Sequence, residues 1–216
     1  MFVAPDGSGG NPLGVFLEPT DLGDADRQAI AADLGFSETV YVDNRASARL
    51  RIFTPALELP LAGHPLVGTS WLLHREGPQP TVLRPPAGDV PTWQEDLLTW
   101  IRAHPATAPD FDLAQLDSAA AIDALEASPD GGGKTVAWAW IDEYAGTMRV
   151  RAFLPDLGVP EDEATGSAAL LLCEAAGRPI EIRQGSASVI HARPEGDGTV
   201  AVGGRVAAVE QRPYDA

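Results

Sequence analysis

Three polar side chains stand where the surrounding apolar pattern predicts burial or the first turn of a helix. Glu38 opens the apolar run Thr39 to Val42, His64 follows Ala62-Gly63 at the head of an apolar helical stretch, and Asp162 just precedes a second such stretch. A carboxylate held partly out of water has its pKa raised toward neutrality, the range in which it can both take and give a proton. Glu38 is the candidate general acid/base on this reading, with a raised pKa expected. Two helix N-termini facing one cleft would add unpaired N–H groups and positive dipole ends, which suit a carboxylate ligand or an enolate-like charge. Each residue also has a plainer reading. Glu38 could be a solvated charge at a strand entry, Asp162 with Glu161 and Glu163 an acidic first turn, and His64 a cap of its own helix. Their placement at repeat-related positions favours a site.

The elements that must position these residues follow a repeat. RIFTP (Arg51 to Pro55) returns as RAFLP (Arg151 to Pro155), an offset of 100 residues. After each comes a turn with proline and acid, a small-residue helix start, and an apolar run ending at Gly77 or Gly177, both expected as left-handed C-caps. PTVLR (80–84) and PIEIR (179–183) then alternate like strands, and SETVYVD (37–43) and TVAWAWID (135–142) read as the strands before each repeat. The simplest account is a duplicated strand-strand-helix-strand unit. The stretch 166–176 is apolar on every side and 63–75 nearly so, which predicts helices buried all round, enclosed by curled sheets. Asp24 to Leu34 has helical periodicity with acids at its start and Gly35 after it. Asn11 to Leu17 reads as a strand after a glycine-rich turn, and residues 95–126 as one or two exposed amphipathic helices. The halves join near residue 105, giving 1–105 and 106–216.

Composition narrows the chemistry further. With 216 residues and 44% hydrophobic content the chain can bury a full core. A formal charge of −16 disfavours nucleic acid or an anionic membrane as a partner. The single cysteine, Cys173, permits no intramolecular disulfide and fits a reducing cytoplasm. The first residues lack the basic start and apolar core of a signal peptide, and no window reaches the roughly 18 apolar residues of a membrane span. A soluble, unprocessed cytoplasmic protein is expected. His64, His74, His104 and His191 show no metal-ligand spacing, so no metal is expected. Gly7 to Pro12 lacks the spacing of a phosphate-binding loop, and no G-x-S-x-G elbow occurs. The five tryptophans read as packing residues.

GGNPLGV (Gly9 to Val15), LGFSETVYV (Leu34 to Val42), RIFTPALELPLAGHPLVGT (Arg51 to Thr69) and EDEATGSAA (Glu161 to Ala169) resemble, in order, the signature blocks of PhzF-like proteins. Gln184-Gly185 and VGGRV (Val202 to Val206) fit the C-terminal strands of that family. The resemblance implies the diaminopimelate-epimerase-like α+β fold: two similar halves, each a curled, mostly antiparallel sheet around a central helix. It implies an isomerase that moves a proton on a small carboxylate-bearing metabolite without metal or organic cofactor, usually as a homodimer. Glu38 would carry the proton, with His64 and Asp162 assisting and orienting. Backbone donors around Gly63 and at Thr165, Gly166 and Ser167 would hold the substrate carboxylate, and Asn11 would shape the opposite wall. The racemases of this fold that use two cysteines are disfavoured, because neither helix start carries one. The chain departs from the family pattern in being shorter than the phenazine enzyme, in Glu163 where the motif usually has proline, and in the unmatched stretch 85–130. The phenazine substrate is therefore not carried over. The competing readings are a non-catalytic protein that keeps the pocket to bind a metabolite, and a structural dimer module with a vestigial pocket.

Overall fold

The computed structural model describes residues 1–19, 22–129, 133–157 and 159–214. In chain order these form β1 (Leu13–Leu17), α1 (Asp24–Leu34), β2 (Glu38–Asn44), β3 (Arg49–Phe53), β4 (Glu58–Leu59), α2 (Gly63–Glu76), β5 (Val82–Leu83), β6 (Val90–Glu95) and β7 (Leu98–Ala103). Then follow β8 (Asp112–Gln115), α3 (Ala119–Asp123), β9 (Thr135–Asp142), β10 (Thr147–Leu154), β11 (Val159–Asp162), α4 (Gly166–Ala176), β12 (Ile180–Gln184), β13 (Ser188–Pro194) and β14 (Val200–Gly204). Strands β1 to β4 make one sheet in sequence order. The other runs β5-β6-β7-β14-β13-β12-β10-β9-β8, with β11 also paired to β10. Most pairings are antiparallel; β1 with β2, β10 with β12 and β8 with β9 are parallel. This is a mixed α+β fold, as expected. No helix among the described residues is long and apolar enough to cross a membrane.

The repeated R-x-F motif makes the same local structure twice. Residues two apart on a strand share a face, so each arginine lies over its phenylalanine: Arg51 is 5.1 Å from the Phe53 ring centroid and Arg151 4.9 Å from that of Phe153. Each also forks onto both oxygens of one glutamate on the next strand. Arg51 donates to Glu58 at 2.7 and 2.6 Å, and Arg151 to Glu161 at 2.8 and 2.7 Å. These bidentate pairs pin β4 and β11 against the ends of β3 and β10, and so fix where the chain leaves each strand for the following helix.

Both helices bury their small-residue starts. In α2, His64 to Ser70 and Leu73 are buried, and the helix packs between β1 and β2 on one side and β6, β7 and β14 on the other. Helix α4 packs on β12, β13 and β14, so β14 touches both helices. Their N-termini abut: a Cβ on Gly166 would stand 3.3 Å from the His64 backbone nitrogen, and one on Gly63 3.5 Å from the Gly166 carbonyl carbon. Glycine at both positions lets the two helix starts meet.

Four expectations need correction. Helix α4 is not buried all round, since Glu174 and Ala175 surface in its last turn. Gly177 is a left-handed cap (φ 63°), but Gly77 has φ −177°, extended backbone, so α2 ends without a left-handed turn. Strand β5 keeps only two residues of PTVLR. Finally, residues 95–126 are not one or two exposed amphipathic helices: they hold β7, a 3-10 turn at Pro105–Thr107, β8 and only a five-residue α3. Thr99, Trp100 and Ile101 are good strand formers, and ladders to both β6 and β14 override the weak helical period.

Gly203 of β14 sits opposite Trp100 of β7. A Cβ there would fall 2.5 Å from the indole ring and 2.8 Å from the Thr99 carbonyl oxygen. Gly203→Ala is expected to destabilise the fold by roughly 1–3 kcal/mol, the usual cost of overpacking. A urea midpoint equal to that of the parent protein would contradict this contact.

Candidate active site

Strand alternation aims Glu38, Val40 and Val42 to the same side of β2, where Val40 and Val42 join the main core under α2. The Glu38 carboxylate therefore meets the first turn of α2, and its Oε2 lies 2.6 Å from Nε2 of His64. Both side chains are largely out of water, 13% and 6% exposed. The Ser37 hydroxyl is 3.4 Å from the same imidazole nitrogen and donates to Oδ1 of Asn11 at 3.1 Å. The Asn11 amide in turn donates to Oδ1 of Asp162 at 2.7 Å, reaching across 151 positions of sequence. The other Asp162 oxygen accepts from the Thr165 hydroxyl at 2.6 Å.

Gln184 closes the network from below. Its amide donates to the Asp162 carbonyl and the Thr165 hydroxyl oxygen, both at 2.8 Å, and its oxygen accepts from the Thr165 N–H at 3.1 Å. The result is one continuous arrangement, Glu38, His64, Ser37, Asn11, Asp162, Thr165 and Gln184, beside the abutting helix starts at Gly63 and Gly166. Ser167, in the first turn of α4, is half-buried. The eight residues singled out from sequence thus lie together or on the same helix starts.

Ser37 and Gln184 were missed as site residues. Gln184 had a readable signal, because Ile180, Ile182 and Gln184 share the inward phase of β12 and a polar residue there must find partners. Ser37 had none beyond its adjacency to Glu38. Cys173 lies buried in α4, and burial pushes its thiol up to about 12, which suits a packing residue and not a thiolate base.

The electrostatics reverse one expectation. Burial pushes the Glu38 carboxyl up, but the His64 charge and hydrogen bond, with the polar Ser37 hydroxyl beside them, outweigh it and hold the group below its ordinary range. Glu38 is therefore a stabilised carboxylate, not the raised-pKa acid expected from burial alone. For His64, burial pushes downward, and the Glu38 charge and contact, with Asp162 further off, turn the balance upward. Asp162 is raised: burial dominates over the opposing His64 charge and Thr165 bond, and Glu38 adds to the rise. The site thus sets a carboxyl held below its ordinary range beside an imidazole held above its own, with a second carboxyl raised by burial across the Asn11 bridge. Groups whose environments push their pKa values apart are what acid/base chemistry at one pH requires.

The signs predict a pH window. The depressed Glu38 stabilises the fold fully above its ordinary value of 4.5, and this is lost as pH falls through its folded value. The elevated His64 stabilises it fully below its ordinary value of 6.5, and this is lost as pH rises through its folded value. The extra stability of the parent protein over Glu38→Gln should therefore peak between about pH 4.5 and 6.5 and shrink on both sides. Denaturant titrations from pH 3 to 10 would measure it, and a difference independent of pH would contradict the ion pair.

Comparison with known proteins agrees with this architecture. Residues 4–140 match the model of the PhzC-PhzF family, described as phenazine biosynthesis-like protein. The chain is 34% identical to the trans-2,3-dihydro-3-hydroxyanthranilate isomerase of Pseudomonas aeruginosa, over 93% of this chain and 89% of that protein. The enzyme of the same name from Pseudomonas chlororaphis is 35% identical over 87% of this chain and 86% of its own length. Among solved structures, a phenazine biosynthesis PhzC/PhzF protein from Clostridium difficile superimposes with a TM-score of 0.78 at 18% identity, covering 96% of this chain and 94% of that one. A PhzF-family protein from Enterococcus faecalis gives 0.68 at 20% identity, covering 91% and 90%. At those identities the solved structures bear on the fold alone. The family match and the full-length kinship to the Pseudomonas isomerases carry the assignment: this chain belongs to the PhzC-PhzF family of phenazine biosynthesis-like proteins.

Proposed function

We propose that this protein is an isomerase that moves a proton between two carbons of a small, carboxylate-bearing metabolite, with its own side chains as acid and base. The single observation that carries the reading is the buried Glu38–His64 pair, 2.6 Å apart, at the junction of two helix N-termini. The N–H groups of the first turns, around Gly63 and at Gly166 and Ser167, suit the substrate carboxylate and the charge that delocalises toward it. The Thr165 N–H is already taken by Gln184 and serves the site by position instead.

The Glu38 carboxylate takes a proton from the carbon that becomes electron-rich, leaving the electron pair in the conjugated system of the substrate. Glu38 then gives a proton, exchanged with solvent while it sits on the carboxyl, to a second carbon, so the carboxylate is regenerated and the isomer keeps the composition of the substrate. His64 holds the carboxylate in one rotamer, and its contact favours the ionised form of Glu38 before substrate is engaged. Asp162 accepts from the Asn11 amide and the Thr165 hydroxyl and so holds the wall of the site opposite Glu38 in place. The kinship to enzymes acting on dihydro-hydroxyanthranilate supports a cyclic, unsaturated hydroxy- or amino-carboxylate as the substrate class.

The test is incubation of the chelator-treated protein with a panel of such compounds, followed by NMR of the products. Conversion to an isomer of unchanged mass supports the reading. Saturable binding across the panel with no conversion would instead make this a metabolite-binding protein.

A further inference from the structure

Glu163 follows Asp162 directly yet points away from it, into the turn between β12 and β13. Its carboxylate accepts from the Ser186 N–H at 2.9 and 3.0 Å, from the Ser186 hydroxyl at 2.8 Å, from the Ala187 N–H at 3.4 Å and from the Ser188 hydroxyl at 2.9 Å. Successive backbone N–H groups after a left-handed residue form an anion-binding nest, and Gly185 supplies that residue with φ 55°. A side chain on Gly185 would also collide with the Glu163 carboxylate. The nest is therefore shaped around this internal anion.

The clamp continues past the turn. The fully buried Ser188 hydroxyl, while donating to Glu163, accepts from the Gly10 N–H at 2.8 Å. Gly9 lies against the same backbone, where a Cβ would stand 2.6 Å from the Ala187 carbonyl carbon. The three segments tied by this one carboxylate each carry a member of the site: Asp162 beside Glu163, Gln184 two positions before Ser186, and Asn11 beside Gly10. These are the residues joined by the hydrogen bonds around Asp162.

We propose that Glu163 is a positioning residue: seated in the nest of the 185–188 turn, it holds the Asp162 turn and, through Ser188, the Gly10–Asn11 segment in the register that keeps the Asn11 amide on the Asp162 carboxylate. A local anchor for the hairpin alone would need only the bonds to residues 186 and 187. The bond through Ser188 to Gly10 is what reaches the opposite wall of the site. The kinetic consequence rests on the proton-transfer reading; the structural one does not.

Glu163→Gln keeps length and packing but removes the anion, and Ser188→Ala breaks the link to Gly10 and one bond to Glu163 while leaving the Ser186 and Ala187 N–H donors in place. Two readouts apply to both: hydrogen exchange of the Asn11 side-chain amide by NMR, and kcat and KM on whichever carboxylate the parent protein turns over. Glu163→Gln is expected to speed Asn11 amide exchange by roughly tenfold or more and to lower kcat by about 10- to 100-fold, with KM changed by about twofold or less, as for a misplaced but intact group. Ser188→Ala should move both in the same direction by less. Unchanged Asn11 exchange in both variants, with only a lower melting temperature, would overturn the proposal in favour of a purely structural anchor. If the parent protein turns over no substrate, the proton-transfer reading fails while the Asn11 exchange still decides the role of Glu163. If Glu163→Gln does not fold, Ser188→Ala decides it alone.

Discussion

Glu38→Gln should lower kcat/KM by about 10²- to 10⁴-fold on any substrate that the parent protein isomerises, the range expected for loss of a positioned general base. The amide keeps the length and most of the packing of the carboxylate but cannot accept a proton from carbon. It also removes the anion that sustains the His64 charge. With His64 buried, an imidazolium left alone would cost about 3–5 kcal/mol, so the ring will lose its proton instead of remaining charged. The variant should therefore fold at neutral pH with a modest loss of stability and a large loss of turnover. Steady-state kinetics with a parallel denaturant titration separates the two effects. Activity within tenfold of the parent would show that another group carries the proton, and Asp162 would be the next residue to replace.

Asp162→Ala is expected to give the largest loss of stability among the site variants. Its carboxylate is the acceptor for the Asn11 amide at 2.7 Å and the Thr165 hydroxyl at 2.6 Å, and all three residues are buried. The substitution strands two donors, at roughly 1–3 kcal/mol each, for a total of about 2–6 kcal/mol. Asn11 has one weaker alternative, the Ala164 carbonyl at 3.4 Å, which favours the lower half of that range. Asp162→Asn should fall between the parent and the alanine variant. An asparagine oxygen can serve one donor, but its own N–H groups then face the other. Guanidinium unfolding of the three proteins would give the order, and an alanine variant as stable as the parent would contradict the hydrogen-bond network around Asp162.

Much of this was legible because local signals and tertiary structure agreed. Helix α1 spans Asp24–Leu34 with Gly35 left-handed at φ 64°, where acids, period and glycine all pointed. Strand β9 covers the alternating TVAWAWID, and the paired R-x-F segments form matching ion-paired strands. The reading failed where long-range partners decide. Residues 98–103 became a strand because β6 and β14 flank them, and nothing within the segment announces those neighbours. The sign of the Glu38 shift failed for the same reason. Burial was inferable from the apolar run around it, but the imidazole that outweighs burial comes from a helix start 26 positions away. Glu163 likewise read as an ordinary acidic helix entry, because the nest that receives it lies in a turn more than 20 residues on.

If Glu38 carries a proton to and from substrate carbon, solvent deuterium must reach that carbon through it. Parent protein and Glu38→Gln would be incubated in D2O with a panel of cyclic and amino-acid carboxylates, and exchange at C–H positions followed by NMR and mass spectrometry. Deuterium should appear at specific carbons with the parent protein and fall by more than about a hundredfold with Glu38→Gln. Ligand binding without C–H exchange in either protein, or equal exchange in both, would contradict it.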